Sequence, residues 1–457
     1  MLNAMKKGGF MINKLKLKNF KAFKHLEIEM KPITVLVGPN NSGKSSILQA
    51  ILLLKQTMNS EDKESPLILG GSRAYFQFGT YKDFVFGNNV RRKLGMGISI
   101  TNYINVKSKD KLGRKITITQ KQINEEINMV FSYRPRRKGI IREKFEVFRN
   151  NELFYRNINN KIDFWSKKLG KEERILLKKF ISPYNFLDFP FLAAVKYRKK
   201  GERLVGSVRM PQIFNMLRKT FSRIVNSLTS VNYIGPLREY PSRTYPYSGE
   251  IKNEVGSRGE NSIQIIAHSL MRRGKEGRKL KALVSYWLSK MGLAAQIGVK
   301  NLTGTLYEAR IRNLISKEYE NILDVGFANS QVIPIILSGL NIPPNHMFIV
   351  EQPEIHLHPK AQAALGDYFV ELATKHHKQV LIETHSEYLV LRIQNNVSTG
   401  KISPNDVVIY FLDTKKEGKY CTRLDLDKNG FFKQEWPDGF FPERFEETKK
   451  LATYLTK

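Results

Sequence analysis

The eight residues GPNNSGKS, at positions 38–45, constrain the fold of this chain more than any other stretch. They match G-x-x-x-x-G-K-[ST], and by average residue usage a chance match in a chain of this length is on the order of one or two in a hundred. ITVLV precedes them and SSILQAILLLKQT follows, which predicts a strand, a glycine-bearing turn and a helix in succession. Backbone N–H groups and the positive end of the helix then converge on bound phosphates.

This loop also predicts the ligands of the site. Lys44 is expected to neutralise the charge of β- and γ-phosphates, and Ser45 is expected to hold a magnesium ion through its hydroxyl. ATP and Mg²⁺ are therefore the predicted cofactors. The residues expected to contact the nucleotide from this loop are Gly38, Asn40, Asn41, Ser42, Gly43, Lys44, Ser45 and Ser46.

Two later apolar runs end in polar clusters that would complete such a site. The first ends at Glu351 in VEQPEIHLHP, where Pro353 prevents the strand from continuing. The second, in QVLIETHSEYLV, ends at Thr384-His385-Ser386. We expect Glu351 to position magnesium, and we expect His385 to sense the γ-phosphate and hold water.

Three segments together, LKNFKAF…ITVLVGPNNSGKSSIL, VEQPEIHLHP and ETHSEYL, resemble the ABC-type ATPase heads of the SMC, RecF and OLD (overcoming lysogenization defect) group. The resemblance covers roughly residues 11–100 and 230–415. It implies a bacterial AAA-like ATPase without a transport domain. The implied fold class is α/β, an ABC-ATPase head whose mixed sheet carries the phosphate loop, with a basic β-meander and helical insertion. EWPDGFFPERFEE is similar to the tail of a subgroup with a C-terminal domain of unknown function.

By this resemblance Glu351 corresponds to the magnesium-coordinating acid, and position 352 corresponds to a glutamate that polarises the attacking water. The chain has Gln352 there, and an amide orients water but accepts no proton. Removing a general base commonly costs about 10²–10⁴-fold, although positioning can suffice when phosphoryl transfer is loose. Slow hydrolysis and a long-lived ATP-bound dimer are therefore expected, with Glu354 as an alternative base.

The same group carries a signature motif that presents a helix-capping serine to the γ-phosphate of the other protomer. We assign it to GFANSQ, residues 326–331, with Ser330 as the N-cap and Gln331 beside it in the cofactor site. Ala328 departs from the usual second glycine, and an ordinary helix cap is the alternative interpretation. Gln77, in YFQFGTYKDF, is placed where a lid glutamine reaches magnesium.

Charge is the strongest compositional feature, because 76 Lys and Arg against 42 Asp and Glu give a net charge of +34. Such a field attracts polyanions, either nucleic acid or an acidic partner, although a lysine-rich solvated surface gives the same count. The densest basic stretch runs from Lys107 to Asn150, with 13 basic residues against five acidic ones. We predict that this region contacts nucleic acid.

The predicted organisation has four parts. Alternating apolar residues from 66 to 160, beginning with AYFQFG, predict a β-meander, and residues 161–230 are predicted to be helical. The parts are an N-terminal lobe of the head at 11–100, the basic insertion at 101–230, a C-terminal lobe at 231–415 and a tail at 416–457.

Two functions remain open from the sequence. One is an ATP-gated sensor or scaffold, a homodimer or higher oligomer that acts on nucleic acid or holds a separately encoded nuclease or toxin. The resemblance suggests phage defence as its setting. The other is a DNA-stimulated ATPase motor in DNA repair or maintenance. No run of about 18 apolar residues is free of breakers, so no membrane span is expected. A single cysteine, Cys421, excludes an intramolecular disulfide and fits a cytoplasmic location.

Overall fold

The structure is a computed structural model, and its described residues form two compact units. The first unit comprises the described residues within 1–29 and 46–230, and the second comprises those within 30–45 and 231–457. The residues that the structure describes are 11–62, 65–72, 74–109, 116–137, 139–159, 161–164, 198–199, 202–203, 212–246, 249–250, 252, 254–271, 275–415 and 418–435.

The described strands and helices are numbered in chain order. The strands are β1 (Met11–Phe20), β2 (Phe23–Glu29), β3 (Ile33–Val37), β4 (Leu94–Lys109), β5 (Ile116–Arg134), β6 (Gly139–Arg149), β7 (Glu152–Ile158), β8 (Lys161–Phe164), β9 (Arg198–Lys199), β10 (Glu202–Arg203), β11 (Val231–Ile234), β12 (Tyr245–Pro246), β13 (Gln296–Thr303), β14 (Leu306–Arg312), β15 (Tyr319–Asn321), β16 (Met347–Glu351), β17 (Gln379–Glu383), β18 (Val407–Lys415) and β19 (Gly418–Leu424). The helices are α1 (Lys44–Asn59), α2 (Tyr81–Phe84), α3 (Gln212–Thr229), α4 (Ser262–Met271), α5 (Lys275–Lys290), α6 (Ala328–Asn341), α7 (Pro359–Thr374) and α8 (Glu387–Ser398).

The first unit is built on an antiparallel sheet of seven described strands in the order β2-β1-β4-β5-β6-β7-β8. β1 and β2 pair as a hairpin, and β4 to β8 form a meander of sequential antiparallel neighbours. Strands are also present at 161–164, 198–199 and 202–203, so the helical prediction for residues 161–230 is wrong there. It is right at α3. The segment WSKKLGKEERILLKKF lies outside the described residues.

AYFQFG, residues 74–79, forms a loop rather than the predicted strand. Its alternation reflects burial without a neighbouring strand. Phe78 packs against Phe84, with ring centroids 6.0 Å apart. The backbone N–H of Phe76 donates to the side-chain oxygen of Gln56, and the amide nitrogen of Gln56 donates to the carbonyl of Ile68. A side chain thus takes the hydrogen-bonding role that a strand would have.

A buried ion pair joins α3 to the meander. The Glu125 carboxylate in β5 is fully buried. It accepts hydrogen bonds from the Thr220 hydroxyl at 2.6 Å and from Nε of Arg223 at 2.7 Å. Because an unpaired buried carboxylate is costly, these contacts fix the helix on this face of the sheet.

The second unit contains the sheet that carries the phosphate loop. Its described strands run in the order β11-β16-β17-β3-β18-β19, parallel except for β19 at the edge. All residues of β3, β16 and β17 are buried, as expected for parallel strands covered on both faces. Their carboxyl ends lie along one edge of the sheet. This confirms the predicted α/β fold with a mixed sheet and phosphate loop.

The second unit also contains a smaller antiparallel sheet, in which the strand order is β12-β14-β13 and β15 pairs with β14. Helices α4 to α8 contribute to the core around Trp287 and Tyr368. The ring centroids of these two residues lie 5.1 Å apart in an edge-to-face arrangement. Throughout the described parts of the chain, every helix is too short or too polar to cross a bilayer.

Candidate nucleotide-binding site

The phosphate loop connects β3 to α1, as predicted. Gly38, Asn41 and Gly43 have positive φ values of 142°, 62° and 103°. Glycine adopts such conformations without a Cβ clash, and asparagine tolerates the left-handed region better than most residues. At Gly38 a Cβ would overlap the carbonyl oxygen of Leu412 in β18. The loop is therefore packed directly against the neighbouring strand.

Lys44 is the first residue of α1 and is buried. Its ammonium donates to the carbonyl oxygens of Gly38 at 3.0 Å and Pro39 at 2.8 Å, so it lies across the loop. Burial lowers the pKa of Lys44, and the negative charges of Glu383 and Glu354 oppose that shift. A phosphate bound in the loop would stabilise the charged ammonium further.

Ser45 contacts an acid that the sequence interpretation did not select. Its hydroxyl donates to Oε1 of Glu383 at 3.0 Å. Glu383 ends β17, which lies between β3 and β16. Its Oε2 is buried and has no hydrogen-bond partner among the described residues. Because an unsatisfied buried carboxylate oxygen is unfavourable, this atom marks a position suited to a cation.

Glu351 lies beside Glu383, because the two residues are paired in the register of β16 and β17. It is buried, and its Oε1 accepts a hydrogen bond from the Tyr233 hydroxyl at 2.8 Å. Burial and then the charge of Glu383 raise the pKa of Glu351 to about 7, against the opposing effects of Tyr233 and Arg238. Burial also raises the pKa of Glu383. Two carboxylates that repel each other therefore lie side by side, and one of them, Glu383, accepts a hydrogen bond from the phosphate-loop serine.

Gln352 has a left-handed backbone with φ of 43°, a conformation that costs a residue with a Cβ roughly 1–2 kcal/mol. Its N–H donates to the carbonyl of Glu383 at 2.7 Å. Nη2 of the buried Arg238 donates to the carbonyls of Glu351 at 2.8 Å and Gln352 at 3.1 Å. These bonds from both sides hold the strained residue. Burial lowers the pKa of Arg238 to about 10.

Glu354 is directed toward the loop after β17. Its oxygens accept from the Thr384 hydroxyl at 2.8 Å and from the backbone N–H of His385 at 2.6 Å. Burial raises the pKa of Glu354. Burial, and then the charge of Lys44, lower the pKa of His385. The predicted histidine thus lies close enough to the phosphate-loop lysine to be influenced by its charge.

Ser330 is not a helix cap, and that part of the prediction is wrong. Helix α6 begins at Ala328 with Phe327 as its N-cap. The Ser330 hydroxyl instead donates back to the Phe327 carbonyl at 2.7 Å, in the first turn. Serine side chains often form this local bond inside a helix, so the sequence alone places the start ambiguously. Gln331 is buried, and its Nε2 lacks a hydrogen-bond partner in the described part of the chain.

The remaining predicted loop residues differ in exposure. Asn40 and Asn41 are exposed, whereas Ser42 is buried. Its hydroxyl has no hydrogen-bond partner within the described ranges. Ser46 is the third residue of α1 and is partly buried. Their contacts with a nucleotide stay predictions.

Gln77 belongs to the first unit. It is exposed, and its amide nitrogen donates to the Gly71 carbonyl at 2.9 Å while its oxygen accepts from the Gly71 N–H at 3.2 Å. The amide therefore closes a small loop within that unit. A role for Gln77 at magnesium stays a prediction.

The donor set of the second unit fits magnesium. Mg²⁺ takes oxygen ligands and usually one or two protein carboxylates, with water and phosphate oxygens completing its shell. Ser45, Glu383 and Glu351 offer a hydroxyl and two carboxylates, and the unpartnered oxygen of Glu383 suits a cation. The described residues contain no group of three His, Cys, Asp or Glu suited to a metal ion, so these residues would hold magnesium only together with water and phosphate.

Three functional candidates were missed from the sequence: Glu383, Tyr233 and Arg238. The available signal for Glu383 was its position, because it is an acid that ends an apolar run immediately before Thr384-His385. Tyr233 and Arg238 lie in YIGPLREYP, and only the pairing of β11 with β16 brings this segment to Glu351. No short motif indicated that contact.

A phosphate loop on a parallel strand, with carboxylates on two neighbouring strand ends, defines a P-loop nucleotide-binding protein. The family model "AAA ATPase domain" matches residues 11–205 and 252–390. The chain belongs to this AAA ATPase domain family. A second model, "Protein of unknown function (DUF3696)", matches residues 402–451, which confirms the predicted C-terminal domain of unknown function.

Other matches are short or distant. The chain is similar to the chromosome partition protein Smc of Methanocaldococcus jannaschii, with 52% identity over 44 residues, 9% of this chain and 4% of that protein. It spans only that small part of the curated relative. Among solved structures, an SmcHead bound to the C-winged helix domain of ScpA has 13% identity and a TM-score of 0.41, covering 91% of this chain and 98% of that one. An Smc head with an extended coiled coil, bound to the C-terminal domain of ScpA derived from Pyrococcus furiosus, has 13% identity and a TM-score of 0.40, covering 98% and 100%.

Proposed function

We propose that this chain is a slow ATPase that self-associates when ATP is bound and uses that change as a sensor or scaffold. Its output is contact with nucleic acid or with a separately encoded effector such as a nuclease or toxin. Phage defence is the setting suggested by the resemblance to OLD-type proteins. The observation that carries the proposal is a phosphate-loop site in which the residue after Glu351 is Gln352 and the nearest alternative base is already engaged.

The residues divide the work of binding and positioning. Lys44 lies across the loop on carbonyl oxygens, and we infer that it transfers these contacts to phosphate oxygens when ATP binds. Gln352 orients water by its amide but takes no proton. Glu354 already accepts hydrogen bonds from Thr384 and His385, so we assign it to holding the His385 loop rather than to proton abstraction.

Magnesium would be held by Ser45 with Glu383 and Glu351. When bound, it supplies charge neutralisation at the β- and γ-phosphate oxygens. The chain's own contribution is a buried pair of neighbouring carboxylates, of which Glu383 is hydrogen-bonded to the loop serine, and a glutamine whose backbone is held by hydrogen bonds. Positioning without a base predicts turnover that is slow yet nucleotide-specific.

Charge supports the nucleic-acid output. The whole chain carries +34, and exposed basic side chains in the described first unit include Arg91, Lys121, Arg136 and Arg218. An excess of this size attracts phosphate backbones without sequence specificity. We infer that ATP-dependent association changes how many of these side chains meet one polyanion.

Single-turnover hydrolysis separates the two functions. The parent is expected to bind Mg-ATP tightly and to hydrolyse it slowly, with less than about twofold change when double-stranded DNA is added, because Gln352 limits proton abstraction in both conditions. Enzyme in excess over labelled ATP gives the rate directly, and Lys44→Ala is the control without phosphate binding. Fast turnover that DNA stimulates would support the motor instead, and absence of ATP binding would refute both.

Self-association is tested at the signature segment. A Cβ on Gly326 meets open space, so Gly326→Arg adds bulk and charge at the segment's surface without disturbing the fold. We expect this variant to bind ATP like the parent and to lose ATP-dependent dimerisation, measured by light scattering after size-exclusion chromatography. Gly304→Arg is the matched control, since a Cβ there also meets open space. Dimerisation of Gly326→Arg at parental concentrations would place the interface elsewhere.

A further inference from the structure

The hairpin of β18 and β19 reaches the phosphate loop, although it belongs to the segment of unknown function. β18 is the parallel neighbour of β3, and β19 pairs with β18 at the edge of the sheet, where Lys419 is opposite Thr414. The match to the family of unknown function covers both strands. A part of the chain without an assigned role is therefore built into the nucleotide site.

Lys419 is the side chain that makes this contact. Its ammonium donates to the backbone carbonyl of Asn41 and approaches the side-chain oxygen of the same residue at 3.4 Å. Asn41 has a left-handed conformation in the middle of the loop. Two lysines thus donate to backbone carbonyls of the loop, since Lys44 donates to the carbonyls of Gly38 and Pro39.

The charge of Lys419 acts on Lys44. The charge of Lys419 contributes to lowering the pKa of Lys44, and partial burial lowers the pKa of Lys419 itself. Carbonyl oxygens accept hydrogen bonds but do not cancel the charge of an ammonium. A polyanion in the loop would offset the repulsion between the two cations, and the carboxylates of Glu383 and Glu354 already oppose the lowering of the pKa of Lys44.

We propose that Lys419 is a second phosphate-binding lysine, by which the C-terminal segment of unknown function reads the polyphosphate of a bound nucleoside triphosphate. Its contacts to Asn41 parallel those of Lys44 to Gly38 and Pro39, and an incoming phosphate replaces the carbonyl as acceptor. This inference rests on the proposed ATP site. It adds a residue outside the phosphate-loop motif that favours nucleotides with more phosphates.

The test is equilibrium binding of ATP, ADP and AMP to the full chain in magnesium buffer. Lys419→Met keeps the length of the side chain and removes the charge, and Lys419→Arg restores it. We expect Lys419→Met to weaken ATP binding about tenfold, the low end for a hydrogen bond to a charged group, with a smaller loss for ADP and none for AMP. Lys428→Met, at an exposed lysine in the turn after β19, should bind all three like the parent.

Three results would overturn the inference. The first is that Lys419→Met binds ATP as the parent does, and the second is that Lys419→Arg fails to restore binding. The third is that Lys419→Met loses affinity for ATP and AMP equally, which would mean that Lys419 supports Asn41 and does not bind phosphate. Lys44→Ala in the same assay isolates the proposed function. If it retains ATP affinity, the ATP site itself is wrong, and if it loses affinity while Lys419→Met does not, only the role of Lys419 fails.

Discussion

Replacing Gln352 by glutamate is expected to raise the single-turnover rate of ATP hydrolysis about 10²-fold, the lower end of what a general base contributes. The substitution preserves length and shape, and the backbone is held by Glu383 and Arg238 rather than by the side chain. A carboxylate at this position can accept the proton of the attacking water. Repulsion from Glu351 and Glu354 keeps the gain at the lower end. Rapid mixing with labelled ATP, with enzyme in excess, measures the rate.

Two controls accompany this variant. Gln352→Ala removes water orientation without adding a base, and its rate should fall below that of the parent. Adding Lys44→Ala to Gln352→Glu should abolish the gain, because the new base acts only on nucleotide held in the loop. A Gln352→Glu rate equal to the parent's would mean that position 352 does not face the attacking water.

A Glu383→Gln variant is expected to lose about 100-fold in affinity for a divalent cation in the presence of nucleotide. Substitution of a residue that only hydrogen-bonds to a metal ligand already lowers metal affinity roughly 10–100-fold. Glu383 accepts a hydrogen bond from the hydroxyl of Ser45. Mn²⁺ in place of Mg²⁺ gives a paramagnetic signal, so the bound fraction is read by electron paramagnetic resonance without any turnover. When a chelator removes the divalent cation, the affinity of Glu383→Gln for ATP should differ little from that of the parent.

The matched control for this variant is Glu318→Gln, an exposed acid before β15. It should bind Mn²⁺ like the parent. Glu351→Gln should also weaken metal binding, since Glu351 lies beside Glu383 in the register of β16 and β17. Loss of affinity in Glu351→Gln together with parental affinity in Glu383→Gln would return the metal to the acid predicted from the sequence and leave Glu383 as a packing residue.

The sequence predicted those elements whose pattern is local. The phosphate loop, β3 and α1 are specified by one continuous run of residues, and they were predicted correctly. Strands β16 and β17 are short buried runs that end at polar residues, and this pattern also allowed them to be predicted from the sequence. A continuous apolar run of this kind can be recognised without knowing which strands lie beside it.

The features that the sequence did not predict depend on specific contacts and not on the pattern of residues. Glu383 was overlooked because only the order of strands, with β17 between β3 and β16, turns its side chain toward Ser45. The start of α6 was misplaced because Ser330 bonds backward to Phe327 rather than forward. AYFQFG alternates as a strand does, yet Gln56 supplies hydrogen bonds in place of a neighbouring strand. For Glu383 and AYFQFG, contacts with residues distant in the sequence decided the outcome, whereas the start of α6 was decided by a local side-chain bond that competes with capping.

The central position of β3 has a consequence for how the protein is made. Its two neighbours in the sheet, β17 and β18, are synthesised far later, and Lys31 just before β3 donates to the carbonyl of Val407, 376 residues away in sequence. Contacts between such distant residues form slowly, because a long loop must close first. The phosphate-loop strand therefore leaves the ribosome unpaired and apolar, a state open to aggregation or chaperone capture. Competence to bind ATP consequently appears only after β17 and β18 have been synthesised and paired with β3, which makes nucleotide binding a report that this sheet has folded.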